Sequence, residues 1–483
     1  MQLILQNLSG NQTRFIVISV LVTIVLSFST ATFGVLAPVV AMVLGAVVVY
    51  TIIIVKNPFV GLMSFLVYYF VVGLVAREIP GFPFGYLIEA SYFFIWIAIL
   101  IKINKSDWKR ISNDLCFLFL IWFIISVLQI ANPGASARGW LSEIRTSGLD
   151  SFMLVPAGFM LFRNYRHLNV FFIIIIACSL FAMLNGVKQL KLGFFPGEQA
   201  FLDNNPTHMI WGQLRVFSFY RDAGQFGASQ AAFVVLCGVL AFGPFKVWKR
   251  LVIGCLALLF FYGMLISGTR GAFFVLIPGA FLAIFLFKNI KVLLSGLSFL
   301  ILFVAILKFT YIGSGFSYVH RLRSALDPSD PSLNARFVNQ ESMRNYMEAY
   351  PFGGGLGVMG YAGGEYNPGA FLASIPPDSY WVKVWGMYGI VGLTFWFCMM
   401  GYIIGKSCGI VWKIRDDGLR VKLIALTASF FGIFICSYGN EVINALPSSA
   451  ISYLSLVFIF MGPEIDRQIS EKCRNNLDHT KTV

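Results

Sequence analysis

The sequence predicts an all-α membrane protein, a polytopic bundle of about 12–14 transmembrane helices with one large outward loop that carries a short helix. Three observations lead there. Of 483 residues, 58% are apolar and only 12% charged, with a mean hydropathy of +0.78. A soluble domain carries about 25% charge. The apolar residues come in unbroken runs such as Ala31–Val55, not in the alternating stretches of about ten residues that build barrels. Lipid admits only helices or closed barrels, so the runs read as helices. Finally, the basic residues crowd into alternate connections between runs, as membrane topology requires.

Taken in order, the runs place spans near 15–30, 33–55, 58–76, 86–103, 113–131, 148–162, 169–187, 229–245, 251–267, 272–287, 292–311, 381–405, 423–437 and 446–462. The first follows a single basic residue, Arg14, and has no small-residue cleavage site. It reads as a retained span, not a removed signal peptide. The run at 148–162 is the weakest, because Asp150 and Pro156 interrupt it.

A net charge of +14 raises the question of a nucleic-acid partner. The distribution of the charge argues against one. With both termini inside, most of the 36 basic residues fall in cytoplasmic connections and the tail, among them Lys102, Lys105, Lys109, Arg110, Lys246, Lys249, Arg250, Lys413 and Arg415. This is the positive-inside pattern. It puts both chain termini inside and the two longest connections outside. Six of the eight cysteines lie in apolar runs, where they pack as small hydrophobes. No disulfide framework or zinc spacing is present.

Two outward connections are long, Lys188–Ala228 and Tyr311–Tyr380. Loops of such length are usually functional. The chain thus divides into N-terminal helices (1–210), a transmembrane core with arginine motifs (211–310), the large loop (311–380), and C-terminal helices with a cytoplasmic tail (381–483). In the large loop, Asn334 is expected to cap a helix on which Phe337, Met343, Tyr346, Met347 and Tyr350 recur at helical spacing. Pro351 ends it, and Gly353-Gly354-Gly355-Leu356-Gly357 follows.

Arginines on the outward side carry most of the chemical information. Arg215 precedes a span, Arg270 stands in Ser267-Gly268-Thr269-Arg270-Gly271 between two runs, and Arg321, Arg323 and Arg336 lie in the large loop. Any one of them, taken alone, serves equally well as a solvated or snorkelling charge. Arg270 is the exception, since a charge between tightly joined spans faces a polar cavity. The guanidinium fork suits phosphate oxygens, so several arginines on one face suggest a site for a phosphorylated lipid. Groups able to take a proton are few there: His208, His320, Asp222, Glu365 and Asp378. Asp378 stands at the mouth of a span in Pro376-Pro377-Asp378-Ser379-Tyr380. It could equally be a helix cap. No hydrolase nucleophile elbow, zinc-protease motif or phosphate-binding glycine loop occurs.

Together these elements resemble the O-antigen ligase and polymerase superfamily. The resemblance rests on Arg215…Ser218…Gly224, on Ser267–Gly271, on Pro351–Gly357, and on Asp378-Ser379-Tyr380-Trp381 followed by Gly389-Ile390-Val391-Gly392-Leu393. It covers about residues 210–400. It implies a metal-independent glycosyltransferase without cofactor, whose donor is a polyprenyl-diphosphate-linked oligosaccharide and whose acceptor is a glycan or a lipid A core. A chain-length regulator and a flippase are further partners it implies; nucleic acid is not one. Arg215, Arg270 and Arg336 match the arginines that hold the diphosphate, with Arg321 and Arg323 in reserve. The family's histidine base is replaced here by Asp378. Tyr380 and Trp381 are candidate glycan contacts.

A polymerase of surface polysaccharide is the favoured function, with an O-antigen ligase as the alternative within the class. From other classes, a lipid-linked glycan flippase or transporter and a non-catalytic assembly partner also fit a basic polytopic chain. Transporters often show internal repeats. None is found here, and the long outward loop favours the transferase.

Overall fold

The computed structural model describes residues 36–310 except 103, 105, 106, 211 and 289, then 323, 331–376 and 379–481, with scattered positions between 17 and 32. The protein is an all-α bundle, and among the described residues its one sheet is a two-stranded hairpin, Met209–Ile210 with Gln213–Leu214. Thirteen of the expected spans coincide with helices. The first, 15–30, falls largely outside the described residues.

Among the described residues, seven helices are long and apolar enough to cross a membrane: Pro58–Glu78, Asp114–Ala131, Tyr165–Lys191, Ala223–Ala241, Val247–Ile266, Tyr380–Lys413 and Asp417–Cys436. Ser448–Phe460 and Gly462–Asn475, bent by 51° from each other, make an eighth if taken as one span. The remaining expected spans include shorter helices such as Tyr86–Lys102, Asp150–Leu161 and Phe273–Leu286.

Side chains cap the helix starts at both ends of the bundle. Asn113 accepts from Cys116 N–H at 3.1 Å, Asp416 from Leu419 N–H at 2.7 Å, and Asp222 from Gly224 and Gln225 N–H at 2.6 and 3.0 Å. Each bond satisfies an N–H that the helix itself leaves open. The end rich in basic residues is also laced together by polar contacts. Arg110 pairs with Glu464 at 3.0 Å, Arg163 with Asp107 at 3.1 Å, and Arg415 and Asp416 donate backbone N–H groups to Asp466.

Helix Ala223–Ala241 is the centre of the bundle, packed against Val247–Ile266, Phe273–Leu286 and Asp417–Cys436. Small residues permit that closeness. A side chain at Gly279 would come within 3.0 Å of the Ala428 carbonyl, and one at Gly432 would overlap Val275. Close backbone approach replaces the hydrophobic drive that is missing between helices in lipid.

Three boundaries differ from the sequence expectation. The central helix starts at Ala223, six residues early, because Asp222 caps it and its first turns are buried. The weak segment at 148–162 is the end of a longer helical stretch that starts at Ala137 and passes through a π-helical turn, Arg145–Leu149. The loop helix runs from Pro331 to Met347, so Asn334 lies inside it and does not cap it. Proline at a first helical position is already set for the turn.

Candidate functional site

At the end of the bundle opposite the basic lacing, four segments meet around the start of helix Ala223–Ala241. The first is Arg215–Asp222. Ser218 adopts a left-handed φ of 48°, and the segment is held from three sides. Ser218 N–H donates to Gln189 at 2.9 Å, its hydroxyl donates to the Ala182 carbonyl at 2.5 Å, and Arg77 donates to the Ser218 and Tyr220 carbonyls. Arg77 also lies 4.0 Å from the Phe201 ring centre.

The second segment is Ser267–Ala272. Thr269 Oγ1 donates to the Ala223 carbonyl at 3.1 Å and accepts from Arg215 Nη2 at 3.4 Å. The residue just before Arg270 thus contacts Arg215 directly. Gly227 makes room for this turn, since a side chain there would overlap the Ser267 hydroxyl.

The third is the loop helix, which contributes Arg336. Its Nη2 donates to the Gly439 carbonyl at 3.2 Å. Arg336 and Arg270 are near enough to sense each other: burial, and then the charge of Arg336, lower the Arg270 pKa from its usual value. Like charges drawn together repel, so their juxtaposition suits an anionic partner.

The fourth segment, Ser437–Pro447, was not singled out in the sequence. Besides receiving Arg336, it accepts the Tyr380 N–H at the Ser437 carbonyl, 2.9 Å away. Gln225 donates to the Glu441 carbonyl at 3.1 Å. Gly224 lies so close to Asn440 that a side chain would overlap its amide. Glu441 Oε2 accepts from Lys383 Nζ at 3.1 Å, and Glu143 Oε1 lies 2.8 Å from the same nitrogen. A lysine inside an apolar run, as Lys383 is, marks a polar interior contact. That signal was present in the sequence. Its partners, hundreds of residues away, were not.

The glycine stretch and the later Gly-x-x-Gly-Leu element form one contact. Helix Tyr380–Lys413 breaks at Gly389, with φ 71° and ψ −173°. Into the break fits the turn that follows the loop helix: Gly354 and Gly355 N–H donate to the Gly386 and Met387 carbonyls at 2.8 and 3.1 Å, and Val391 N–H donates to the Pro351 carbonyl at 3.2 Å. Gly353 and Gly355 both have positive φ, which only glycine adopts without strain. The N-terminal helices hold the other side of this turn, with Asn132 donating to the Gly353 carbonyl at 2.9 Å and Gln129 to that of Phe352 at 3.1 Å.

Of the expected site residues, Arg215, Arg270 and Arg336 come together as described. Arg323 is half-buried. Arg321, Asp378 and His320 lie outside the described residues. The helix after Asp378 is capped by Ser379, whose hydroxyl accepts from Val382 N–H at 3.3 Å. Tyr380 is only 3% exposed and packs against Trp396. Trp381 packs against Phe397, Phe434 and Tyr438. Accessible aromatic surface in the large loop is instead offered by Phe337, Tyr350, Phe352, Tyr361 and Phe371, all exposed. His208 is buried against the Phe201 and Phe217 rings.

Residues 255–397 match the family described as O-antigen ligase. The match takes in Arg270, Arg323, Arg336, Asp378 and both glycine elements, and leaves Arg215 and Glu441 outside. The resemblance drawn from the motifs is borne out over this segment. No curated protein matches the chain.

Proposed function

We propose that this chain is a membrane glycosyltransferase that moves a glycan from a polyprenyl-diphosphate donor onto a sugar hydroxyl, polymerising repeat units of a surface polysaccharide on the periplasmic side of the inner membrane. The observation that carries this reading is the gathering of Arg215, Arg270 and Arg336 around one helix start, through Thr269 and Gly439. In such a transfer the bond from the anomeric carbon to the phosphate oxygen breaks, and its electron pair leaves with the diphosphate. Fixed guanidinium groups stabilise the charge that develops there. The acceptor oxygen forms the new bond to the anomeric carbon, and its proton passes to Asp378 as base. Holding hydroxyl and carbon together supplies the orientation term.

Polymerase is favoured by the exposed aromatic surface of Tyr350, Phe352, Tyr361 and Phe371, since aromatic faces suit a groove that holds several sugars. A ligase is the second reading, favoured by the description of the matched family. The test is the glycan profile of a strain lacking the chain. Single repeat units on carrier or core, with long chains absent, are expected. Full-length carrier-linked polymer would indicate a ligase instead. Repeat units trapped on the inner face would overturn both readings in favour of a transporter.

A further inference from the structure

Lys383 is held by two carboxylates, and one of them is surplus. Glu143 lies 2.8 Å from Lys383 Nζ, its side chain is 7% exposed, and Ser147 donates to it as well at 3.2 Å. This pair alone neutralises the buried ammonium. Glu143 stands just before a π-helical turn, Arg145–Leu149, which carries its partner Ser147; such turns recur at functional sites. Glu441 is the second partner, at 3.1 Å, and its side chain is 20% exposed. Two carboxylates on one ammonium leave the group with a net negative charge, whose desolvation is uncompensated within the cluster.

The surroundings of Glu441 say what the extra charge is for. It sits two residues from Gly439, which receives Arg336, and four from Ser437, which receives the N–H of Tyr380. Beside it, the Gln225 side chain donates its amide N–H to the Glu441 carbonyl, so its Oε1 points away, buried and without a hydrogen-bond donor among the described residues. Asn444 Oδ1, on the same loop, is in the same state. A buried acceptor without a donor has lost its water and gained nothing in exchange. Glu441, Gln225 and Asn444 thus bring acceptors close to the segments where Arg215, Arg270 and Arg336 bring donors. A diphosphate fits the arginines and is repelled by Glu441. A neutral polyol, whose hydroxyls donate, fits the acceptors.

We propose that Glu441 binds the hydroxyls of the incoming acceptor sugar, positioned by Lys383, and so orients the acceptor against the donor held by the arginines. The inference rests on the glycosyltransferase reading and assigns its acceptor subsite. The probe is lipid-linked repeat unit extracted from a strain lacking the chain, supplied to the purified full-length protein. Two products are followed: chain elongation and release of the diphosphate carrier. Each elongation releases one carrier, so the ratio of elongation to carrier release falls only where water takes the glycan in place of the acceptor hydroxyl. Glu441→Gln keeps shape and removes the charge, so misplaced acceptor gives way to water and the ratio should fall at least tenfold. Glu441→Asp should recover part of that ratio. Glu143→Gln, which disturbs only the structural pair, should lower yield or melting temperature and leave the ratio unchanged. A ratio within threefold of wild type in Glu441→Gln, or the same change in Glu143→Gln, would sink the proposal. Arg270→Lys serves as the separate control. If it preserves both elongation and carrier release, the donor-site reading itself fails, whatever Glu441 does.

Discussion

Arg77 Nη1 donates to the Ser218 carbonyl at 2.6 Å, joining the end of an early helix to the left-handed residue three positions after Arg215. Its second nitrogen reaches Tyr220, so one planar fork holds two carbonyls of the turn. An ammonium cannot span both. Arg77→Lys should therefore lower glycan transfer by about tenfold, with stability reduced by about 1–3 kcal/mol. Transfer assays alongside thermal melts of the purified protein check this. Full activity in the lysine variant would mean that the turn holds its shape unaided.

The arginine cluster makes a sharper demand. Arg270→Lys and Arg336→Lys retain charge and lose the fork, and each is expected to reduce transfer by about ten- to a hundredfold at normal protein level. The comparison is surface glycan output from variants complementing a deletion strain. Wild-type output from both would remove the diphosphate assignment. Arg344, which is exposed and faces Glu348 at 4.0 Å, gives a neutral reference.

Asp378 and Ser379 can be separated by substitution. Ser379 already supplies the helix cap, so Asp378→Asn leaves capping untouched and should abolish transfer if Asp378 takes the proton. Ser379→Ala should cost about 1 kcal/mol of stability and leave the chemistry in place. Activity and melting temperature, measured on both variants, assign the roles. An active Asp378→Asn protein would remove Asp378 from the reaction.

His208 sets a pH dependence. Burial lowers its pKa below 6.5; the Asn205 carbonyl and Asp222 push it back up, and Arg215 and Arg77 lower it further. The unfolded chain then binds the proton more readily than the folded one. The stability His208 contributes is complete above about 6.5 and is lost as pH falls through the lower folded value. Melting temperature should drop between about pH 7 and 5, and His208→Gln should flatten part of that slope. Parallel curves for the two proteins would show that His208 is not the group responsible.

Orientation is open to chemical labelling. A cysteine placed at Gly363, in the loop, should react with a membrane-impermeant reagent in intact spheroplasts, while Cys408 stays protected. Reaction at Cys408 would reverse the topology.

The helices were legible because long apolar runs have a single solution in lipid. Their ends were less so. Ala223–Ser229 reads as a loop by composition, small and polar, yet those residues are buried where turns press on the helix start. Asn334 looks like a cap, but Pro331 begins the loop helix first. The arginines could be named from their neighbours in sequence, because glycines and a positive charge between spans leave a local signature. Lys383 is legible only as a charge inside an apolar run, and Glu143 and Glu441 cannot be joined to it, because an ion cluster joining three distant segments has no spacing to read. The loop from Ser437 to Pro447 carries no motif in sequence, although Arg336, Gln225, Tyr380 and Lys383 all bond to it.

The fit of Pro351–Gly355 into the break at Gly389 behaves as a press-stud. A side chain at Gly389 would overlap the Pro351 carbonyl, and one at Gly353 would overlap Met387, so neither half can change alone. Variation in the length of the outward loop then has few places to go. Extra residues can be absorbed ahead of Pro351, where they lengthen the approach to the arginines. Within the stud itself, even one would unfasten the loop from the bundle.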